Sequence, residues 1–461
     1  MADVGHPSIF HSHRFWLRRI ELLSYRCFRQ LTVDFDERLT VLSARNGAGK
    51  TAVLDAIAAA LGTFVGSFYT GKSHGIETGD VHLQITNSKL REMEPQYPAI
   101  ILATGEVDGE SIEWARCLNT PKSGTTIKEA RPLTLIGKRM QTAVSAKQPV
   151  VLPLVAYYGT GRLWNQKKVT AKKVGDSEFY SRTSGYQDCL DPASSYKLFK
   201  DWFVYAARGD FDLRARQRER FGSDYVEADT PYSPLIAAIR QAVDECVQIT
   251  GWRNLYYSFS HQGMLLEHPI HGTLEVNQLS DGVRNMIALV ADIAYRMVRL
   301  NSEFGRDAVC QTPGLVLIDE VDMHLHPEWQ QIVLSNLTTA FPKLQFIVTT
   351  HSPQVISTVK REQVRLLSEN FAGEAVAAIP GARTYGRSNA DVLEAVMAVS
   401  PEPPVPESEP LNQYMVLIEQ GNWRLEEAKE LRKRLSVTLG DDYPLLVQAD
   451  MIIRRREALE R

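Results

Sequence analysis

The chain combines short apolar runs, typical of buried strands, with longer segments of helical spacing. Residues 39–42, 315–318 and 346–350 are largely apolar and predict buried strands, because the strands of a parallel sheet are covered on both faces. Residues 52–61 are rich in alanine and leucine and predict a helix after the first of these strands. A second helix is predicted to begin near residue 281, with apolar side chains at Met286, Leu289, Val290 and Ile293.

The segments between these elements are more polar. Residues 17–35 predict two strands around a short turn, and residues 82–114 alternate as a small antiparallel sheet would. Residues 119–147 are polar and predict a segment rich in loops, and residues 165–188 are polar and predict a mobile segment. Residues 194–250 have helical spacing with many charges, so we expect a helical insertion there.

The C-terminal part follows a different pattern. Residues 401–410 contain five prolines and three glutamates and predict a linker. Residues 414–439 predict one amphipathic helix, followed by a short helix at 445–461. The apolar stripe of the first helix would pack either on its own head or on another protein. Its members are Leu417, Ile418, Leu425, Ala428, Leu431 and Leu435.

Composition and charge argue against several classes of protein, including membrane-spanning and disulfide-rich proteins. The 461 residues are 44% hydrophobic and carry a net charge of −3, so a basic field over the whole chain is excluded, although a local basic patch is not. The five cysteines form no metal-binding pattern, and we expect them to be buried small side chains in a reducing compartment. No apolar run is long enough to span a membrane, so a cytoplasmic location is expected.

Residues 44–51 read ARNGAGKT and join the strand at 39–42 to the helix after it. Glycines at positions 47 and 49 let backbone amides turn toward a pyrophosphate, which also attracts the helix N-terminus. The lysine would approach the β- and γ-phosphates, and the threonine would ligate magnesium. Ala44 replaces the usual first glycine, which is tolerable at negative φ. The loop predicts ATP binding by Asn46, Gly47, Ala48, Gly49, Lys50 and Thr51.

Two carboxylates end the strand at 315–318. Asp319 would hold magnesium through water and Glu320 would polarise the attacking water, because the carboxyl end of a parallel strand faces the ligand crevice. His324 and His326 follow, but no third metal ligand is indicated. We therefore expect a loop at a dimer interface, with Asp322 contacting the partner subunit.

Ser280 and Gly282 begin a helix within the motif LSDG. A serine hydroxyl with helix amides makes an anion site, although an ordinary helix cap has the same residues. In one chain this site would lie far from Lys50, whereas a head-to-tail pair would place it over the γ-phosphate bound by the other subunit. His351 ends the strand at 346–350 and would donate to that phosphate; in isolation it would be typical of a structural histidine.

Together with the RCF sequence at 26–28, the segments ARNGAGKT, LSDG, LIDEVDMHLHP and VTTHSP resemble the RecF/SMC/OLD-like branch of ABC ATPases. Within it, the chain is most similar to the group that includes the ATPase subunit of Septu anti-phage systems and retron-associated relatives. Residues 387–393 and 449–455 carry this narrower similarity. Asp281 departs from the common signature glycine, and no glutamine-loop residue can be assigned.

The resemblance implies an α/β fold, namely a two-lobed ABC-type ATPase head with mixed and parallel sheets, a helical insertion and a C-terminal helical tail. It implies ATP and Mg²⁺, a homodimer of heads or a higher oligomer, and a separately encoded HNH-type nuclease subunit. Nucleic acid, either DNA or a retron RNA–DNA, is a further candidate partner, and no membrane is expected. Arg26 and Arg162 are additional candidate nucleotide contacts.

We expect four parts: an N-terminal ATPase lobe at 1–164, the insertion at 165–255, a C-terminal ATPase lobe at 256–399, and a linker with a docking tail at 400–461. The expected function is slow magnesium-dependent ATP hydrolysis that controls the nuclease in anti-phage defence. An SMC-like organiser would need long heptad coiled coils, and an OLD-type nuclease would need a C-terminal DxD motif; the sequence has neither. A RecF-like DNA-repair ATPase remains the alternative.

Overall fold

The computed structural model describes residues 14–87, 92–161, 181–192, 196–222 and 228–459. The chain divides into two compact units, Met1–Val392 and Leu393–Arg461. The predicted four-part division stays a prediction.

The secondary structure is as follows. The strands in chain order are β1 (Phe15–Tyr25), β2 (Phe28–Asp34), β3 (Leu39–Ser43), β4 (Leu83–Asn87), β5 (Glu92–Pro95), β6 (Ala99–Val107), β7 (Glu110–Leu118), β8 (Leu154–Tyr158), β9 (Arg253–Ser258), β10 (Gly263–His268), β11 (Gly272–Glu275), β12 (Gly314–Ile318), β13 (Leu344–Thr350), β14 (Val364–Glu369) and β15 (Ala375–Ala378). The helices are α1 (Lys50–Val65), α2 (Arg131–Ser145), α3 (Lys197–Phe221), α4 (Ser233–Val247), α5 (Asp281–Leu300), α6 (Ala308–Gln311), α7 (Pro327–Gln330), α8 (Val333–Ala340), α9 (Pro353–Ile356), α10 (Asn389–Ala395), α11 (Ser408–Glu419), α12 (Glu426–Leu439) and α13 (Pro444–Leu459).

A six-stranded sheet organises the first unit, in the order β15-β14-β3-β13-β12-β8. Its strands are parallel except β15, which is antiparallel to β14. Strands β3, β8, β12 and β13 are buried throughout, as expected for a sheet covered on both faces. The predicted α/β fold with a mixed sheet is confirmed.

A four-stranded antiparallel sheet, β2-β1-β6-β7, accompanies the central sheet. Helix α1 contacts β6 and β7 of this sheet and β13 of the central one, and nearly all its residues are buried. Its alanines allow this close packing on several sides, because a small side chain lets neighbouring backbones approach. The phosphate loop at its start is therefore attached to a rigid element.

The prediction that residues 119–147 are rich in loops is wrong in part. Residues 131–145 form α2, whose buried Leu133, Ile136 and Met140 lie three and four residues apart beneath a polar face, and this spacing was hidden among threonines and lysines. Of the mobile segment predicted at 165–188, residues 165–180 lie outside the described residues. The rest includes a short 3-10 helix, Arg182–Tyr186, with buried Tyr186.

The second unit has a core of its own. The single helix predicted at 414–439 is two helices, α11 and α12, because the chain turns at Gly421 with φ 84°. These helices and α13 share a core, and most of the predicted apolar stripe is packed there. The buried core residues are Leu411, Tyr414, Ile418, Ala428, Leu435, Leu446 and Ala449.

Two further sequence expectations can be compared with the structure. Cys189 and Cys246 are buried as expected, but Cys27 and Cys310 are exposed, since they lie in the β1–β2 turn and in the short helix α6. Within the described part of the chain, no helix has the length and apolar character needed to cross a membrane.

Candidate functional site

The candidate site is assembled at the carboxyl ends of three neighbouring strands. Strand β13 lies between β3, which leads into the phosphate loop, and β12, which leads into Asp319 and Glu320. Because all three strands are parallel, these segments and His351 emerge at one edge of the sheet. The structure therefore brings together segments nearly 300 residues apart in sequence.

The phosphate loop has the backbone that its glycines predict. Gly47 and Gly49 have φ values of 79° and 88°, in the left-handed region that favours glycine. A Cβ atom on Gly49 would lie 2.3 Å from the ring of Phe28, so only glycine fits. Ala44 is not among the residues with positive φ, which explains why alanine is tolerated there.

The side chain of Lys50 folds over this loop. Its Nζ donates to the carbonyl oxygens of Ala44, at 3.2 Å, and Arg45, at 3.5 Å. The pKa of the Lys50 amine is lowered overall, because the effect of burial exceeds the opposing effect of the carboxylates of Asp319 and Glu320. The amine is thus held in the concave part of the loop, where a phosphate would replace the two carbonyl contacts.

Two hydroxyl groups hold the buried carboxylate of Asp319. The Oγ1 atom of Thr51 donates to its Oδ2 at 2.8 Å, and that of Thr349 donates to its Oδ1 at 2.6 Å. The first contact joins the two residues predicted to bind magnesium. An adjoining hydroxyl and carboxylate fit the oxygen ligands that Mg²⁺ prefers.

Thr349 also positions Glu320. The backbone amide of Glu320 donates to Thr349 Oγ1 at 2.7 Å, and Glu320 itself has φ 49°. A left-handed conformation of a non-glycine residue costs roughly 1–2 kcal/mol and is maintained by its surroundings. The sequence analysis missed Thr349, because a threonine within an apolar strand is an ordinary strand residue.

The loop after Glu320 is tied to the end of β13. Thr350 Oγ1 donates to Asp322 Oδ1 at 2.5 Å, and His351 follows directly and is half-buried. His326 caps α7 by accepting from the backbone amide of Glu328, so its Nδ1 is already engaged. The described residues include no group of three or more His, Cys, Asp or Glu arranged to hold a metal ion.

The signature segment lies at the start of α5. Ser280 occupies the N-cap position and is exposed, but its hydroxyl makes no capping hydrogen bond, contrary to the capping considered from sequence. Asp281 pairs with Arg284 instead. A Cβ atom on Gly282 would lie 2.5 Å from the carbonyl oxygen of His324, so this glycine allows α5 to pack closely on the loop after Glu320.

Arg26, one of the two candidate arginines, forms ion pairs with two carboxylates. The guanidinium of Arg26 contacts the carboxylates of Asp55, on α1, and Asp80, with 2.8 Å from Nε to Asp80. Tyr157 also donates to Asp55, at 2.8 Å. The structure thus places Arg26 in an ion-pair network that includes Asp55 of α1, the helix that follows the phosphate loop. Arg162 lies outside the described residues.

Comparisons with known proteins agree with this site. A model described as "AAA domain" matches residues 19–219, and one described as "AAA domain, putative AbiEii toxin, Type IV TA system" matches residues 190–357. Together they include the phosphate loop, the signature and the carboxylate strand.

Relatives match over most of the chain. The Retron Ec83 probable ATPase of Escherichia coli is 27% identical, with 95% of this chain and 86% of that protein aligned. The Retron Vc95 probable ATPase of Vibrio cholerae is 24% identical, with 92% and 88% aligned. The Septu protein PtuA of Bacillus mycoides is 24% identical over 81% of this chain but only 43% of its own length.

Similarity to solved structures is more distant. The SMC head domain from Thermotoga maritima covers 79% of this chain and 99% of its own, with 16% identity and a TM-score of 0.41. The sequence relatives and the arrangement of the site support one assignment. The chain is related to the retron ATPases and to Septu PtuA.

Proposed function

We propose that the protein is a magnesium-dependent ATPase whose heads dimerise around ATP and control a separately encoded HNH-type nuclease in anti-phage defence. The observation that carries the catalytic part is the clustering of Lys50, Thr51, Asp319 and Glu320 at one edge of the sheet. Such a cluster contains the groups that phosphoryl transfer requires, namely a phosphate cradle, metal ligands and a residue that orients water.

Each group has a distinct role in this proposal. Lys50 and the backbone amides of the phosphate loop bind the phosphates, and Thr51 with Asp319 holds Mg²⁺, which neutralises charge on the phosphates when bound. Glu320 orients the attacking water, and the Thr349 hydroxyl fixes its backbone. His351, at the end of the strand between the two carboxylates and the loop, donates to the γ-phosphate.

Two substitutions test the chemistry. Glu320→Gln should retain ATP binding but lose about 10²-fold or more in turnover, because removal of one group from a preorganised site commonly has an effect of this size. Lys50→Ala should lose binding. Glu328→Gln is a matched control, since Glu328 is an exposed acid a few residues along the same segment. Unchanged turnover in Glu320→Gln would refute the assigned role.

A mixing experiment tests the shared site. Two heads would enclose two ATP molecules, each between Lys50 of one chain and Ser280 of the other, in closed two-fold symmetry. A Lys50→Ala chain and a Ser280→Arg chain should each be inactive alone, whereas their mixture retains one intact composite site and should recover activity. If the mixture is no more active than its components, the shared-site proposal fails.

The second unit is the proposed docking element for the nuclease. Most side chains of its apolar stripe are packed in the core of this unit, so docking would depend on apolar side chains that are exposed on its surface. Val437 and Met451, on α12 and α13, are 84% and 64% exposed. A chain ending at Ser400 should keep ATPase activity and lose co-purification with a nuclease encoded beside it.

Point variants separate docking from folding of this unit. Val437→Asp and Met451→Asp should weaken the complex without unfolding the helices, because neither side chain is in the core. Full retention of the complex by the truncated chain would exclude docking through this unit. An insoluble truncated chain would show that the unit stabilises the head instead.

One observation favours the alternative, a RecF-like ATPase that binds DNA directly. Helix α3 exposes four arginines between its middle and its C-terminal end, with exposed Phe211 and Phe221 on the same helix: Arg208, Arg216, Arg218 and Arg220. Arginines and aromatic side chains together suit single-stranded nucleic acid. Salt-dependent binding of an oligonucleotide that is lost in Arg216→Glu/Arg220→Glu, with no nuclease partner, would favour this alternative.

A further inference from the structure

Tyr158, the last residue of β8, contacts two parts of the proposed machinery. Its carbonyl oxygen accepts from the backbone amide of Asp319 at 2.8 Å. Its hydroxyl donates to Asp292 Oδ2 on α5, also at 2.8 Å. One residue therefore joins the strand end that carries the metal-binding carboxylate to the helix that begins at Ser280.

The contact with α5 is part of a buried network. Arg296, one turn after Asp292, donates through Nε to the same Oδ2 atom at 2.7 Å. Its NH1 group donates to the carbonyl oxygens of Gly185 and Gln187, at 2.9 and 3.0 Å. Burial raises the pKa of Tyr158 well above its usual value, so the phenol remains a neutral hydrogen-bond donor.

Removing these charged and polar groups from water costs free energy, so their burial is not explained by hydrophobic packing alone. Tyr158, Asp292 and Arg296 are almost completely shielded from solvent, and Asp292 Oδ1 has no hydrogen-bond partner within the described ranges. A buried ion pair often stabilises a protein no more than apolar residues of the same volume would. The hydrogen bonds among the three residues fix the position of α5 relative to β8.

The neighbouring tyrosine points to the other face of the sheet. Tyr157 donates to Asp55 on α1, the helix of the phosphate loop. Alternate residues of a strand face opposite sides, so Tyr158, and not Tyr157, reaches α5. The two hydroxyl groups can therefore be removed separately.

We propose that Tyr158 is a positioning residue for the signature serine: through Asp292 and Arg296 it holds α5 so that Ser280 reaches the ATP bound by the partner head. This inference rests on the proposed shared site. Ser280 lies about 18 Å along the helix axis from Asp292, so a tilt of about 3° moves it by about 1 Å. A displacement of that size can reduce a rate about 10²-fold.

The substitution Tyr158→Phe isolates this role. It retains the ring and the carbonyl oxygen that accepts from Asp319, and it removes only the hydroxyl that donates to Asp292. The nucleotide site in the same chain should thus be preserved. The defect should appear in the composite site to which that chain contributes Ser280.

The mixed dimer makes this distinction measurable. In a pair of one Lys50→Ala chain and one Ser280→Arg chain, the first supplies the intact serine and the second the intact phosphate loop. Tyr158→Phe added to the Lys50→Ala chain should lower kcat at least tenfold with KM within twofold. Added to the Ser280→Arg chain, it should leave both constants within twofold.

Tyr186→Phe is the matched control. Tyr186 is also fully buried, and its hydroxyl donates to the carbonyl oxygen of Pro153 at 2.7 Å, so the same atom is lost without affecting Asp292. Placed in the Lys50→Ala chain, it should leave kcat within twofold. Equal losses from Tyr158→Phe in either chain, or a loss no larger than that of Tyr186→Phe, would overturn the positioning role.

A second measurement applies even if Tyr158→Phe reduces the yield of active dimer. Amide hydrogen exchange in the first hydrogen-bonded turn of α5, residues 284–288, should be at least tenfold faster in Tyr158→Phe than in the wild type or Tyr186→Phe. Unchanged exchange would refute the inference. An inactive parental mixture, with no Tyr158 substitution, would instead refute the shared site, and this inference with it.

Discussion

Thr349 provides the sharpest test of how Asp319 and Glu320, the two carboxylates proposed to act in catalysis, are held in place. Its hydroxyl is fully buried, donates to Asp319 and accepts from the backbone amide of Glu320. Thr349→Val keeps the shape and removes both contacts. Loss of a hydrogen bond to a charged group costs about 1.5–3 kcal/mol, and a buried amide left without an acceptor costs about 1–3 kcal/mol.

The two effects share one atom and will not add fully, so we expect a decrease of about 2–4 kcal/mol in the free energy of unfolding. Turnover should fall as well, because the backbone of Glu320 is held at an unfavourable φ by one of these bonds. Urea unfolding followed by tryptophan fluorescence, together with steady-state ATP hydrolysis, measures both effects.

The chain offers a matched control for this substitution. Thr63, on α1, is 4% exposed, and its Oγ1 atom has no hydrogen-bond partner among the described residues. Thr63→Val should therefore leave the free energy of unfolding unchanged or raise it slightly. If Thr349→Val costs less than about 1 kcal/mol, or no more than Thr63→Val, the claim that Thr349 organises the two carboxylates is wrong.

Three further predictions concern other parts of the molecule. Gly49→Ala should abolish binding of a fluorescent ATP analogue, because its Cβ would clash with Phe28, whereas Gly47→Ala meets open space and should add only backbone strain of about 1–2 kcal/mol. Leu435→Ala should destabilise the second unit by about 2–5 kcal/mol in thermal melts while ATP hydrolysis stays within twofold. Burial lowers the pKa of Lys200 to about 8, so the unfolded chain binds more protons between that pH and 10.5, and stability due to this group rises with pH across that window. Lys200→Met should therefore raise the melting temperature at pH 7, and the gain should shrink as pH rises above 8; a constant gain would contradict the shift.

The sequence predicted the structure best where a few neighbouring residues determine the local conformation. The phosphate loop required glycine at positions 47 and 49, and both have positive φ. The buried strands were found because parallel strands are apolar on both faces. Helix α2 was missed because Leu133, Ile136 and Met140 are spread among polar residues. The break at Gly421 was missed because the apolar spacing continues across it.

Residues whose function depends on a distant neighbour were harder to predict. The sequence named Thr51 and Asp319 separately, but their hydrogen bond joins positions 268 apart. Arg26 was predicted as a nucleotide contact, which stays a prediction, and only the structure shows that its guanidinium pairs with Asp55 and Asp80. The local sequence identifies candidate residues one at a time, whereas the fold determines which of them are in contact.

The register of three strands explains why Thr349 and Tyr158 both contact Asp319. Ile318, at the end of β12, pairs with Val348 of β13 on one side and with Tyr158 of β8 on the other. The next residue, Asp319, therefore emerges between Thr349, which donates to its side chain, and Tyr158, which accepts from its backbone amide. Because the side-chain period of a strand is two, a slip of β12 by one residue would turn Asp319 toward the opposite face and break both contacts. The register of β12 against its two neighbours thus determines where the side chain and the backbone amide of Asp319 lie.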